Sequence, residues 1–301
     1  MTKIFSTENL YHYLYRYGTT MQAIKLRRKE KRLHFNDTLS IVAIAKNEGP
    51  YIEEWVRFHL IQGVSKIYLY DNDSPDNMKD VLKPYIDAGK VIYTFWPGKG
   101  QHLNAFNDAI KRFKFDTKYM AFIDVDEFLL PESASSTLID EIESILQLNH
   151  RAGGIAVNWR MFGSSNHTKK PNGLVIENYL YRGRSDQDGN DCIKTIANPR
   201  FIRSYNYTHE PNYITGFNSI NENGKIVIGF RNPTEGTKRI RLNHYFTKSK
   251  EEWIERRSRP RSDNPNDDQI RPMEEFFQYD ENDVYDDIML QYVDRVKSFT
   301  L

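Results

Sequence analysis

A single cysteine, Cys192, stands in 301 residues, so the chain has no internal disulfide to staple it. No neighbouring residues give that thiol metal-ligand spacing, and a reducing compartment is the expectation. No apolar run approaches the roughly 18 residues of a membrane span. The opening MTKIFSTENLYHYLYRYGTT also lacks an apolar core of leader length, and the expected location is cytoplasmic. Neither charge is in excess: 42 Lys and Arg oppose 41 Asp and Glu, a formal +1, which speaks against a design for nucleic acid. The turn PGKGQ lacks the spacing of a nucleotide-triphosphate phosphate loop and reads as a tight turn. What is present is the composition of a folded protein, 39% hydrophobic and 13% aromatic, sufficient for one elaborated α/β domain or two small ones.

From residue 39 the hydrophobic pattern alternates between two periods. LSIVAIA is a β-branched run suited to a strand buried on both faces, and NEGPYIEEWVRFHLIQG follows with Pro50 near a helix start and Gly63 past its end. KIYLY, VIYTFW and YMAFID read as further strands. DNMKDVLKPYIDAG and QHLNAFNDAIKRFKF read as helices, the second with Leu103, Phe106, Ile110 and Phe113 on one face. Such alternation predicts a doubly wound, mainly parallel sheet whose ligands bind beyond the carboxyl ends of the strands.

Those ends are polar. Lys46, Glu48, Asp73, Gln101 and Asn104 follow three strands and offer donors and acceptors suited to a base and ribose. The fourth strand ends in FIDVDEFLLP, where Asp124, Asp126 and Glu127 interrupt an apolar run. Burying such a cluster is costly without a cation, a basic partner or water. Asp124 and Asp126 supply hard oxygen ligands, and one or two carboxylates with phosphate oxygens is a normal arrangement for Mg²⁺ or Mn²⁺.

The ordered segments AIAKNE, EEWVRFHLIQGVSKIYLYDNDSPD, QHLNAFNDAI, FIDVDEFLLP, NWRMFGSSNH, GLVIENYLYR, CIKTIANP and IRLNHYFTKSKEEW, spanning about residues 40 to 260, resemble glycosyltransferase family 92 and its bacterial relatives. The chain departs from the family's pattern at Asn166, where a glycine is expected. The resemblance implies an α/β GT-A fold and an inverting, divalent-metal-dependent transfer of a hexose from a UDP-linked donor, UDP-galactose among the candidates. The acceptor is expected to be a saccharide or a lipid-linked glycan. The resemblance further implies that Asp124 addresses ribose and metal, that Asp126 coordinates the metal, and that His244 in LNHYFTKS is a third ligand.

Inversion requires a base on the far side of the sugar ring from the leaving group. Glu177, in the strand-like GLVIENYL, is the first candidate, with Asp186, Asp188, His209 and Glu210 as rivals. Trp159, Phe162, Tyr179 and Tyr181 suit the faces of sugar rings. Ser249 and Glu252 have capping-box spacing at the start of a helix that leads to Arg256, Arg257, Arg259 and Arg261, a diphosphate clamp or a solvated basic face. Val284, Ile288, Tyr292 and Val296 form an i+4 stripe expected on a terminal helix. The organisation expected is a basic helical extension over 1–38, a nucleotide-sugar half over 39–131, an acceptor half over 132–247 and a helical tail over 248–301. The extension's IKLRRKEKRLHF is suited either to solvent or to peripheral contact with anionic lipid. A metal-dependent nucleotidyltransferase or phosphohydrolase, or a sugar-binding module without catalysis, are the alternative readings.

Overall fold

A computed structural model of the chain describes residues 20–233, 238–257 and 271–301. Helix α1 (Thr20–Glu30) precedes three β/α repeats and a fourth strand: β1 (Asp37–Ala45), α2 (Gly49–Ile61), β2 (Lys66–Asp71), α3 (Met78–Asp87), β3 (Val91–Phe95), α4 (His102–Phe113) and β4 (Thr117–Phe122). There follow β5 (Glu127–Pro131), α5 (Leu138–Gln147), β6 (Ala152–Met161), a one-turn helix α6 (Val175–Asn178), β7 (Tyr181–Arg182), β8 (Ile193–Ala197), β9 (Ile202–Tyr205) and β10 (Pro211–Tyr213). The remainder is β11 (Asn218–Ile220), β12 (Ile226–Val227), β13 (Ile240–His244), α7 (Lys250–Arg257), α8 (Met273–Tyr279), β14 (Val284–Tyr285) and α9 (Leu290–Lys297).

The main sheet runs β12-β11-β6-β8-β4-β1-β2-β3. Strands β3, β2, β1 and β4 are mutually parallel, and β8 enters antiparallel between β4 and β6. The doubly wound, mainly parallel α/β class expected of a GT-A chain is therefore observed. Strand β1 explains why its sequence is apolar throughout: Leu39, Ile41 and Ala43 enter the core under one face of the sheet, Val42 and Ile44 that under the other. After β1 the chain winds outward through β2 to β3, then returns to place β4 on β1's other side. The carboxyl ends of β1 and β4 thus flank a topological switch point, where a doubly wound sheet opens a crevice.

Strand β13 bridges β5 and β6. It pairs antiparallel with β5 and parallel with β6, in a register that sets His244 opposite Glu127 and Met161. Helix α1 docks through Arg27, which donates to the Ala152 carbonyl at 2.8 Å, and through Glu30, which pairs with Arg200 at 2.5 Å.

Two local expectations are corrected. Val284 belongs to a two-residue strand paired with β7, and the terminal helix starts at Leu290. Asp286 decides this: its Oδ2 accepts from Arg182 Nε at 2.6 Å and from Arg241 Nη2 at 2.7 Å, ion pairs that pin the segment flat. Tyr292 and Val296 do bury on α9, with the Tyr292 ring 5.3 Å from Phe58. GLVIENYL is likewise helical at Val175–Asn178, because the buried Glu54 carboxylate accepts the N–H groups of Val175 and Ile176 at 2.8 and 2.9 Å.

Candidate active site

At the switch point lies a cleft of about 550 Å³. Lys46 and Glu48 follow β1, and Asn72 and Asp73 follow β2. Gly98, Lys99 and Gly100 follow β3, and Asp124, Val125 and Asp126 follow β4. The far wall is Trp159 and Met161 of β6, Lys194 of β8, Thr208, His209, His244, Phe246 and Arg256, with Arg271, Glu275 and Tyr279 at or near α8. The loops brace one another. Asn47 N–H donates to Ser74 Oγ at 2.9 Å, Gly49 N–H to Asp76 Oδ2 at 2.8 Å, and Asn72 Nδ2 to the Trp96 and Gly98 carbonyls at 2.9 and 2.8 Å. Asp73 holds a left-handed φ of 59°, which turns the backbone sharply at the cleft's edge.

The structure brings together Lys46, Glu48, Asp73, Asp124, Asp126 and His244. It leaves out Gln101 and Asn104, which line no part of the cleft; Asn104 Nδ2 donates to Gln101 Oε1 at 3.1 Å on the exposed start of α4. Glu177 is outside it as well. Its Oε1 accepts from Leu174 N–H at 2.7 Å, closing the first turn of α6, and its Oε2 pairs with Lys297 Nζ at 2.6 Å. Of its rivals, Asp186 is exposed near Arg184, Asp188 is exposed near Arg231, and Glu210 accepts from Gly229 N–H at 2.5 Å; His209 lines the cleft. Among the aromatic residues, Trp159 lines it, 4.4 Å from the His244 ring, whereas Phe162 and Tyr179 are core residues and Tyr181 pairs with Tyr285 in the two-stranded β7–β14 sheet. Arg256 is in place, and Arg259 and Arg261 lie outside the described residues.

Each acid of the cluster has its own compensation. Asp124 Oδ2 accepts from Lys194 Nζ at 2.8 Å, and its Oδ1 lies 3.5 Å from His102 Nε2. Burial would raise this carboxyl, but the Lys194 ammonium and His102 outweigh it and bring it down to about 2. Asp126 Oδ2 is 2.9 Å from Arg256 Nη1 and its Oδ1 is 3.5 Å from His244 Nε2; against burial, these two partners hold it well below the usual carboxylate range. Glu127, fully buried, is pushed well above that range by burial, with Lys194 3.8 Å away on the opposing side. The basic partners of the acids are therefore side chains of the protein itself. Lys194 carried no signal in the sequence beyond being a lysine in an apolar strand, CIKTIA, where a charge must meet a partner.

The 3.5 Å between Asp126 Oδ1 and His244 Nε2 exceeds a hydrogen bond, and donors to one octahedral cation stand roughly 3 Å apart. His244 Nδ1 is buried without a hydrogen-bond partner. Among the described residues no three His, Cys, Asp or Glu side chains close around one point, so Asp124, Asp126 and His244 do not by themselves form a closed cage, and a cation here would need phosphate oxygens or water to complete its shell. Two carboxylates and an imidazole are a donor set that Mn²⁺ or Mg²⁺ accepts.

Asn166, the departure from the expected glycine, sits at φ 63° after Ser165 at φ 51°. Left-handed backbone is what glycine would give there, and asparagine is among the residues that tolerate it.

Curated relatives include a family 92 protein of Oryza sativa subsp. japonica, 26% identical over 57% of this chain and 30% of its own length. Another is the β-1,4-galactosyltransferase galt-1 of Caenorhabditis elegans, 34% identical over 32% of this chain and 25% of its own. The matched stretches thus span about a third or less of these proteins. Among solved structures, S. aureus TarS 1-349 in complex with UDP aligns at 13% identity over 55% of this chain and 47% of its own, with a TM-score of 0.36. The family model for glycosyltransferase family 92 matches residues 45–279, from the end of β1 to the end of α8 and so across every wall of the cleft, and the chain belongs to that family.

Proposed function

We propose that the protein transfers a hexose from a UDP-linked donor, UDP-galactose first among them, to a hydroxyl of a saccharide or lipid-linked glycan, with inversion and with a divalent cation. The observation that carries this reading is the convergence of Asp124, Asp126 and His244 with Lys194 and Arg256 at the switch-point cleft: acids to hold a cation and bases to face an anion in one site. The galactosyltransferase names of the C. elegans relative and of an Arabidopsis thaliana galactan β-1,4-galactosyltransferase, 32% identical over 29% of this chain, support the sugar.

In this reading Lys46, Glu48, Asn72 and Asp73 hold base and ribose, and Arg256 and Arg271 face the diphosphate. Asp126 and His244, with Asp124 beside them and diphosphate oxygens completing the shell, would hold Mn²⁺ or Mg²⁺, which would supply Lewis-acid neutralisation of the diphosphate charge. The base passes from Glu177 to His209. Its Nδ1 lies 2.8 Å from the Ile193 carbonyl, so Nδ1 carries the proton and Nε2 keeps the lone pair. Burial and Lys194 lower this imidazole to about 4, so it is neutral at pH 7, and the anionic donor shifts it back toward basicity. The acceptor oxygen bonds to the anomeric carbon, its proton goes to His209 Nε2, and the bond to phosphate breaks with its electron pair on UDP. The exposed basic residues Lys25, Arg28 and Lys29 of α1 support peripheral contact with an anionic surface.

The test is a panel of UDP-sugars with Mn²⁺, reading UDP release. At least one should be turned over, and Asp126→Asn should lose turnover and Mn²⁺-dependent donor binding. Full turnover by that variant would refute the assignment. A two-metal phosphohydrolase is disfavoured because the third acid, Glu127, is buried and held toward its neutral form.

A further inference from the structure

We infer that Tyr207 and Phe230 form a stacking platform for the saccharide acceptor at the mouth of the cleft, an inference that rests on the transferase reading and names the acceptor side of the same site. A file of rings leads out of the cleft. Trp159 lies 5.1 Å from His209, His209 lies 5.3 Å from Tyr207, and Tyr207 lies 5.5 Å from Phe230. The inner two line the cleft, and the outer two are 49% and 38% exposed. Ile228 beside them is also 38% exposed.

The platform is held rigid from beneath. Ile193 N–H donates to the Phe230 carbonyl at 3.0 Å, Gly229 N–H to Glu210 Oε2 at 2.5 Å, and Thr195 Oγ1 to the His209 carbonyl at 2.9 Å. Strand β8, which carries Lys194 into the cleft, therefore also fixes both aromatic loops. The two rings pack on one another and on His209, with the Arg231 guanidinium 5.3 Å from the centre of the Phe230 ring, and still keep apolar area open to solvent; a preordered aromatic pair rimmed by polar groups is the mark of a binding surface. The rim carries both signs: Arg231 Nη1 is 2.8 Å from Asp191 and 3.6 Å from Asp188.

Three observations select a sugar over other occupants. The patch is a few side chains, far below the roughly 800 Å² per partner of a stable protein interface. The carboxylates of Asp188 and Asp191 oppose an anionic lipid surface. The file of rings is continuous with the proposed base, and the apolar face of a pyranose stacks on aromatic rings while its hydroxyls meet the charged rim.

The experiment uses the full chain and the variants Tyr207→Ala, Phe230→Ala and Tyr207→Phe. Binding to a glycan array that includes β-1,4-linked galacto-oligosaccharides is read with UDP present, UDP affinity is read by calorimetry, and acceptor KM is read on the glycan that binds. Both alanine variants should lose glycan binding and raise acceptor KM at least tenfold, with UDP affinity within about twofold and thermal midpoint unchanged; Tyr207→Phe should retain binding. Glycan binding or acceptor KM that survives both alanine changes overturns the platform, as does wild-type protein that turns over a UDP-sugar but binds no glycan. Wild-type protein that releases UDP from no donor refutes the transferase reading itself, a separate outcome.

Discussion

Replacing Lys194 by Met should destabilise the whole molecule, because it strips the compensating charge from a buried acid pair while keeping the side chain's length. Lys194 is 2% exposed, donates to Asp124 at 2.8 Å and stands 3.8 Å from Glu127. Removing one partner of a buried pair costs about 3–5 kcal/mol; with Asp124 30% exposed to water, the lower end, about 3 kcal/mol, is expected, a fall of about 5 °C in Tm for a chain of this length. The pH dependence follows from Asp124, whose folded value of about 2 lies below its ordinary 3.8. That depression contributes stability of about 2 kcal/mol above pH ~4, lost as pH falls through about 2. Without Lys194, burial raises the same carboxyl, so protonation relieves the variant as pH falls. The gap from wild type should be full at pH 7 and narrow toward pH 4. Glu127→Gln is the control: if Glu127 is already neutral, this near-isosteric change costs under about 1 kcal/mol. Urea denaturation at both pH values decides. A Lys194→Met protein as stable as wild type, or a Glu127→Gln protein as damaged as Lys194→Met, would refute the charge assignment.

His209→Gln should lower acceptor transfer by about two to four orders of magnitude with donor affinity retained, measured by single-turnover kinetics beside calorimetry; normal transfer would return the base to another group. Glu177→Gln should leave transfer unchanged and cost at most about 1 kcal/mol, since it loses a partly exposed pair with Lys297; an inactive but folded variant would restore the first assignment. His59, fully buried, lies 2.8 Å from the Trp55 carbonyl through Nδ1 and accepts from Leu129 N–H at 3.1 Å through Nε2. Burial lowers it to about 3, so the unfolded chain takes up a proton first as pH falls below about 6.5. Stability should be level above that pH with respect to this group and decline between 6.5 and 3, and His59→Gln should flatten the decline in a pH series of denaturation curves.

Local chemistry was legible along the chain. Short apolar, β-branched runs and period-3.6 stripes placed β1 to β4 and their helices, because a strand inside a doubly wound sheet buries both faces and each helix one stripe, and the parallel winding that follows put Asp124 and Asp126 at a strand end. Lys46, Glu48 and Asp73 were found for the same reason. What adjacency along the chain does not encode is which distant segment lies beside those acids. Register between β13 and β5 sets His244 opposite Glu127, and insertion of β8 against β4 sends Lys194 to Asp124. His244 entered through family resemblance, and Lys194 through neither route. The strand reading of GLVIENYL around Glu177 failed because its short apolar run LVI mimics a strand, while Glu54, 121 residues before Val175, supplies the two hydrogen bonds that wind it into a helix. The sequence determined which residues had to be satisfied; only the tertiary structure decided by whom, since a buried charge is settled by whatever opposite charge the fold brings within a few ångströms.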